Sequence, residues 1–394
     1  MMILKLVKEA TAEAASISAW SAIWTFPSIL ISAFVIAWGA EAAQFLMSQG
    51  LALAILAWLQ TLPEFAVEAV IAWEAGKDPA KTHLAIANFT GSLRLLVGLG
   101  WPMIYFVAAY FGWKRTRQFV TIRLEEEHSV EVFGLFLPLV YFVFVWWKGS
   151  LTVWDSIPLA GSYFLYLWIL WKIPPKEETE ESLEDLGTIP RKVLALQPPM
   201  RSIAIWSLFL VGGVILFFAA HPFLNSMLAI SASLGVSTFV FVQWVAPFLS
   251  EFPEKLSAFY WARKVKTAPV ALMNMVSSNI NQWSVLSAMI PIIFAMSGGL
   301  RPLVFDEFQR QEILLTILQS FLGFLLLMNL ELRLHEAAVL FIFWLIQFVV
   351  PASRHTMIWV YLAWCGIEIV RMMLERKAPP AWTGLRATMA RRFS

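Results

Sequence analysis

The chain has 394 residues, 59% of them hydrophobic and only 14% charged, with a mean hydropathy of +0.69. So few polar side chains cannot cover a soluble globule of this size, which excludes a water-soluble protein. A net charge of +2 offers no basic surface for nucleic acid, and the single Cys365 cannot close an internal disulfide.

Met1 to Ala19 carries Lys5, Lys8 and Glu9 and a weakly amphipathic Ala/Ser stretch, with no short apolar core before a cleavage site. No removable signal peptide is expected. Apolar stretches then recur, each long enough to cross a hydrocarbon layer of about 30 Å as a helix. Gly, Pro and charge clusters divide them into spans near 26–47, 50–75, 83–111, 131–148 and 153–172. A polar, Pro-rich stretch from Lys172 to Arg201 comes next and reads as a linker. Further spans lie near 203–224, 227–262, 267–297, 311–331, 335–351 and 355–374. The pattern predicts an all-α membrane protein of about eleven spans, whose partner is the lipid bilayer. Trp beside charge, as in Trp113-Lys114 and Trp146-Trp147-Lys148, fits rings anchored at headgroup level.

Cytoplasmic loops keep the excess of Lys and Arg. One set of loops holds eight, among them Lys5, Lys77, Arg301 and Arg354, and the other nineteen, among them Lys114, Lys172, Arg191 and Arg376. The N-terminus is therefore expected outside, with the linker and C-terminal tail in the cytoplasm.

The second span contains Trp58-Leu59-Gln60-Thr61-Leu62-Pro63-Glu64 and the seventh Phe248-Leu249-Ser250-Glu251-Phe252-Pro253-Glu254. The third contains Asn88-Phe89-Thr90-Gly91-Ser92-Leu93-Arg94 and the eighth Asn274-Met275-Val276-Ser277-Ser278-Asn279-Ile280. The order is the same in both halves, with 28 residues from Glu64 to Ser92 and 24 from Glu254 to Ser278. Five spans per half is an odd number, so the second copy enters the membrane from the opposite side, as an inverted repeat. Pro63 and Pro253 remove a backbone donor and break their helices inside the span. Carboxylates there are costly unless they pair or coordinate, and with hydroxyl, amide and carbonyl oxygens they suit a hard cation such as Ca2+ or Na+.

This duplicated pair resembles the two alpha-repeats of the calcium/cation antiporter superfamily, particularly its sodium/calcium exchanger branch, here at 59–96 and 246–282. The resemblance implies two inverted five-helix repeats, 1–172 and 203–351, joined by a cytoplasmic linker at 173–202 and followed by an extra span and basic tail at 352–394. It implies a secondary-active antiporter, not an enzyme, exchanging Ca2+ or a similar cation for Na+ or H+ by alternating access, with no cofactor. Glu64 and Glu254 are then the central metal ligands, and Ser92 and Ser278 contribute side-chain oxygens. Gln60 and Ser250 stand where the family usually has the oxygen-donating Thr, and Thr61 and Glu251 where it has Ser. Asn88, Asn274 and Asn279 belong to the second motif. The departures are Leu93, Arg94 and Leu96 in the first copy, with Gln282 opposite Leu96.

Some readings stay open. Glu68, one turn from Glu64 on the same face, is a further acidic ligand, a proton carrier or a partner of Arg94. Glu251 either joins the site or turns away into a salt bridge. Arg94 lies about 200° around the helix from Ser92, which favours a structural ion pair over a tethered cation competing at Glu64 or Glu68. In the second case the chain carries a different ion, or is a transport-inactive scaffold or sensor. The five His lie at span ends without a metalloprotease motif, and Gly91-Ser92 lacks the flanks of a nucleophile elbow. The short linker fits a prokaryotic inner membrane. The first spans of each half, 26–47 and 203–224, carry no ligand candidates and are expected to slide against a fixed core, with Gly212 and Gly213 permitting close contact.

Overall fold

The computed structural model describes residues 21–78, 81–175, 186–233, 235, 241–375 and 377–393. Met1 to Ala19 with Lys5, Lys8 and Glu9, together with Pro79, the middle of the linker and Arg376, lies outside the described residues. The described residues are helical almost throughout. In the first half come α1 (Ala22–Ala43), α2 (Gln49–Gln60), α3 (Leu62–Lys77), α4 (Thr82–Leu95), α5 (Trp101–Thr116), α6 (Ser129–Lys148) and α7 (Ser156–Lys172). The short α8 (Thr188–Leu194) lies in the linker. The second half comprises α9 (Met200–Ser233), α10 (Ala246–Ser250), α11 (Phe252–Ala262), α12 (Ala268–Asn281), α13 (Ser287–Gly298), α14 (Glu307–Leu327) and α15 (Leu334–Val349). Two helices close the chain, α16 (Arg354–Leu374) and α17 (Pro380–Phe393).

Among the described residues, seven helices are long and apolar enough to cross a membrane, and an eighth if the bent pair α2/α3 counts as one span. Residues 227–233 continue α9 through Pro222 instead of opening the next span, and the basic tail forms α17.

The breaks fall where Pro permits them. Gln60 ends α2, and α3 starts at Leu62 with Pro63 in its first turn, bent by 49°. Glu251 separates α10 from α11, again with Pro253 in the first turn, a position where the missing N–H costs nothing. The third helix of each half carries a π-helical segment, Leu96–Gly100 and Gln282–Leu286, each starting four residues after the motif serine. An extra residue per turn rotates the later part of the helix relative to the earlier part, a device common at functional sites.

The halves interlock by exchange. α2 packs on α12 and α3 on α13, while α10 packs on α4 and α11 on α5. Two short antiparallel ladders repeat the exchange: β1 (Ile122–Arg123), before α6, pairs with β4 (Glu331–Leu332), after α14. β2 (Ser150–Leu151), after α6, pairs with β3 (Leu303–Val304), before α14. Each end of α6 thus lies beside the opposite end of α14, and the two helices run antiparallel.

Peripheral to this core, α1 packs along α9. At Gly212 a Cβ would come within 2.4 Å of the Ile36 side chain, so the glycine sets the close approach. Tryptophan divides between two roles: Trp147, Trp154 and Trp171 are exposed near helix ends, as headgroup anchors would be, but Trp101, Trp261 and Trp283 are wholly buried packing residues.

Candidate cation site

Glu64 stands in the first turn of α3 and Glu254 in that of α11, each just after its break, and both are buried. The breaks let side chains of one half reach the other. Ser92 Oγ contacts Oε1 of both Glu64 and Glu251, and lies 3.1 Å from Gln282 Oε1. Gln282 Nε2 donates to Glu64 Oε2 at 2.6 Å and to Glu251 Oε1 at 3.4 Å. The second oxygen of Glu251 pairs with the buried Lys255 ammonium.

Ser92 has one hydrogen to give and a carboxylate has none, so only one of its two carboxyl contacts can be Ser92 donating. A proton on the carboxyl, or a cation between the two, would suit the other.

The remaining residues form smaller groups around this centre. Ser278 donates to Glu254 Oε1 at 2.9 Å, and Glu254 Oε2 has no hydrogen-bond partner. Asn88 donates to Glu68 Oε2 at 2.5 Å, leaving Glu68 Oε1 and Asn88 Oδ1 without one. Gln60 crosses between halves, donating to Ser257 Oγ at 2.6 Å and Pro253 O at 3.3 Å and accepting from Asn274 at 3.4 Å. Thr61 accepts from Asn281 at 2.7 Å while donating back to its own helix. Both polar atoms of the Asn279 side chain are buried and unbonded. Ser250 is not brought to the carboxyls: its hydroxyl donates to Pro247 O at 3.1 Å, the back-bond usual for a helical serine.

For Glu251 and Arg94 the structure shows the contacts that the sequence left open. Glu251 meets Glu64 through Ser92 and also makes a salt bridge. Arg94 goes to neither Glu64 nor Glu68, so it is neither the partner of Glu68 nor a cation lodged at Glu64. Its guanidinium pairs with Glu312 of α14, lies 3.4 Å from Gln347 Oε1 of α15, and sits over the Trp244 ring at 5.2 Å. Arg354 pairs with Glu312 from the other side at 3.0 Å, and Gln243 bonds to both Glu312 and Arg354, at 3.2 and 2.9 Å. Gly91 admits this arrangement, because a Cβ there would lie 2.1 Å from Gln243 O.

Sequence reasoning missed Lys255, Asn281, Ser257 and the partners of Arg94. For Lys255 a signal existed: the eight and nineteen loop cations leave only Arg94 and Lys255 of the 29 Lys and Arg inside spans. Glu312 and Arg354 gave none, since each lies within two turns of a span end, where charge is ordinary.

Among the described residues, no three His, Cys, Asp or Glu side chains form a ready-made metal cage. A hard cation here would draw on Glu64, Glu251 and Glu254 together with the oxygens of Ser92, Ser278 and Gln282.

No curated protein matches the chain in sequence. Solved structures do. The crystal structure of the H+/Ca2+ exchanger CAX is similar over 98% of this chain and 97% of that one, with 28% identity and a TM-score of 0.77. The sodium-calcium exchanger NCX_Mj, soaked with Na+ and Sr2+, is similar over 86% of this chain and 99% of that one, at 16% identity and a TM-score of 0.61, a likeness of fold. The family described as sodium/calcium exchanger protein matches residues 17–172 and 204–351. Those two stretches contain both breaks, both motif serines and the whole carboxylate cluster, and the chain is an integral membrane protein that belongs to the sodium/calcium exchanger family.

Proposed function

We propose that this protein is a secondary-active antiporter exchanging Ca2+ or a similar divalent cation for H+ at the Glu64–Glu251–Glu254 cluster. The observation that carries this reading is the shared hydroxyl of Ser92: two carboxyls meet at one hydrogen, an arrangement that a proton or a cation between them would complete. The same oxygens cannot hold both, and exchange results from that competition. The greater similarity to an H+/Ca2+ exchanger supports protons as the counter-ion. Na+ is the second reading, supported by the family description.

The finer architecture belongs to this proposal. The antiparallel α6 and α14 and the exchanged ladders support two inverted five-helix repeats, 1–172 and 203–351, within about eleven spans. The linker and tail are cytoplasmic and the N-terminus outside, in a prokaryotic inner membrane. Alternating access arises from α1 and α9 moving together against the interlocked core.

Uptake of 45Ca2+ into proteoliposomes against a pH gradient tests the reading, with a Na+ gradient as the parallel arm. Gradient-driven uptake that disappears in Glu64→Gln and Glu254→Gln is expected. Uptake driven by neither gradient, or indifferent to both substitutions, removes it.

A further inference from the structure

Among the described residues, Lys255 is the one ammonium paired with a carboxylate of the cluster, 5% exposed and joined to Glu251. Its charge lies 5.5 Å over the Phe248 ring. Glu251 and Lys255 are four residues apart on the chain, a spacing that on an exposed helix is worth only a few tenths of a kcal/mol. Inside a protein such a pair is not a stabilising device, because desolvating both charges offsets their attraction.

The two halves show that the break does not need it. Aligning Glu64 with Glu254 sets Thr61 opposite Glu251 and Phe65 opposite Lys255. The first half makes the same broken helix with a hydroxyl and a ring, and the second carries the acid and the base together. Glu251 adds one negative charge to the cluster, and Lys255 cancels it with a cation that cannot leave. An ammonium on a four-carbon stem is a compact point charge that can swing aside while staying attached. Its partner carboxyl is the one that also meets Ser92, so an ion using Glu251 must first contend with it.

We propose that Lys255 is a tethered competitor for the transported cation: its ammonium holds Glu251 until a divalent ion enters and displaces it, so that it serves in place of one monovalent counter-ion. This rests on the cluster being the cation site.

Equilibrium 45Ca2+ binding to the purified full-length protein, at fixed pH without Na+, tests it. Binding abolished by Glu64→Gln defines the site. Lys255→Met is expected to tighten that binding by about tenfold or more, and Lys255→Arg to leave it within about threefold of the parent. The double variant Glu251→Thr/Lys255→Phe, which installs the pair of the first half, removes ligand and competitor together and should also stay within about threefold. A purely structural pair predicts instead a lower melting temperature with no gain in affinity. Unchanged or weaker binding by folded Lys255→Met overturns the proposal. If Lys255→Met does not fold, a loss of more than about tenfold in the double variant overturns it. Absence of Glu64-dependent binding in both the parent and Lys255→Met removes the cation-site reading itself, and the competitor with it.

Discussion

Two buried polar clusters lie within one π-helical third helix of each other, and they are built on opposite principles. Around Ser92 the charges are mostly negative, and one side-chain oxygen each of Glu254, Glu68 and Asn279 has no hydrogen-bond partner. Around Glu312 the excess is positive, two guanidiniums to one carboxylate, and both carboxylate oxygens are bonded. Gln347 closes the second cluster by donating to Tyr361 at 2.9 Å and Gln319 at 3.3 Å, and Gln319 donates to Arg94 O at 2.9 Å. Unspent oxygens suit a place where ions come and go, and spent ones suit a staple. Position along the span differs as well: Glu64 and Glu254 follow breaks inside apolar sequence, whereas Glu312 and Arg354 stand near the starts of their helices.

If Glu312 is a staple, breaking it should harm the fold more than transport. Glu312→Gln leaves two buried guanidiniums sharing a neutral amide, and a loss of about 3–5 kcal/mol is expected by thermal melting in detergent. Glu64→Gln should do the reverse. There, Ca2+ affinity should fall about a hundredfold with little change in melting, and a variant that melts early but binds normally would dissolve the contrast.

The approach of α4 to residues 241–245 separates packing from polarity. Gly91→Ala must displace Gln243 O and is expected to cost about 1–3 kcal/mol, whereas Gly161→Ala, with open space around it, should cost less than about 0.5 kcal/mol. Within the acidic cluster, Ser92→Ala removes contacts to three side chains and Ser278→Ala to one. Isothermal titration should show about a tenfold loss of Ca2+ affinity for the first and a smaller one for the second; equal losses would mean that the two carboxyl groups are used alike.

The smallest effect lies in the turn Val153–Asp155 that precedes α7. Burial raises the Asp155 carboxyl, but hydrogen bonds from Lys148, Tyr141 and Thr152 outweigh it and hold it below the ordinary carboxylate value. A depressed carboxyl contributes stability above the unfolded pKa of about 4, and loses it as pH falls through the folded value. Melting monitored from pH 7 down to about 3 should drop less steeply in Asp155→Asn than in the parent.

Much of this was legible in the residues, for reasons that also mark where legibility ends. Pro63 and Pro253 announce their breaks because a missing N–H has only local consequences. Glu64, Ser92, Glu254 and Ser278 stand out because duplication puts the same types at matching places. The second carboxyl at Ser92 proved to be Glu251 rather than Glu254, and no periodicity could have said so, since the choice depends on how one half is set against the other. Arg94 was visible as an oddity, and its distance around the helix from Ser92 pointed away from the carboxyls. Its partner was not visible, because Glu312 lies more than two hundred residues along the chain near a helix start, where a glutamate is unremarked.

The two ladders that tie β1 to β4 and β2 to β3 bear on covalent continuity. Each half is bound to the other by backbone hydrogen bonds at both ends of α6 and α14, and each broken helix is packed in the opposite half. The covalent connection between α7 and α9 is therefore not what alone joins the halves, although α8 within it packs on α1. Two polypeptides divided within that stretch should find one another in the bilayer and assemble as the intact chain does.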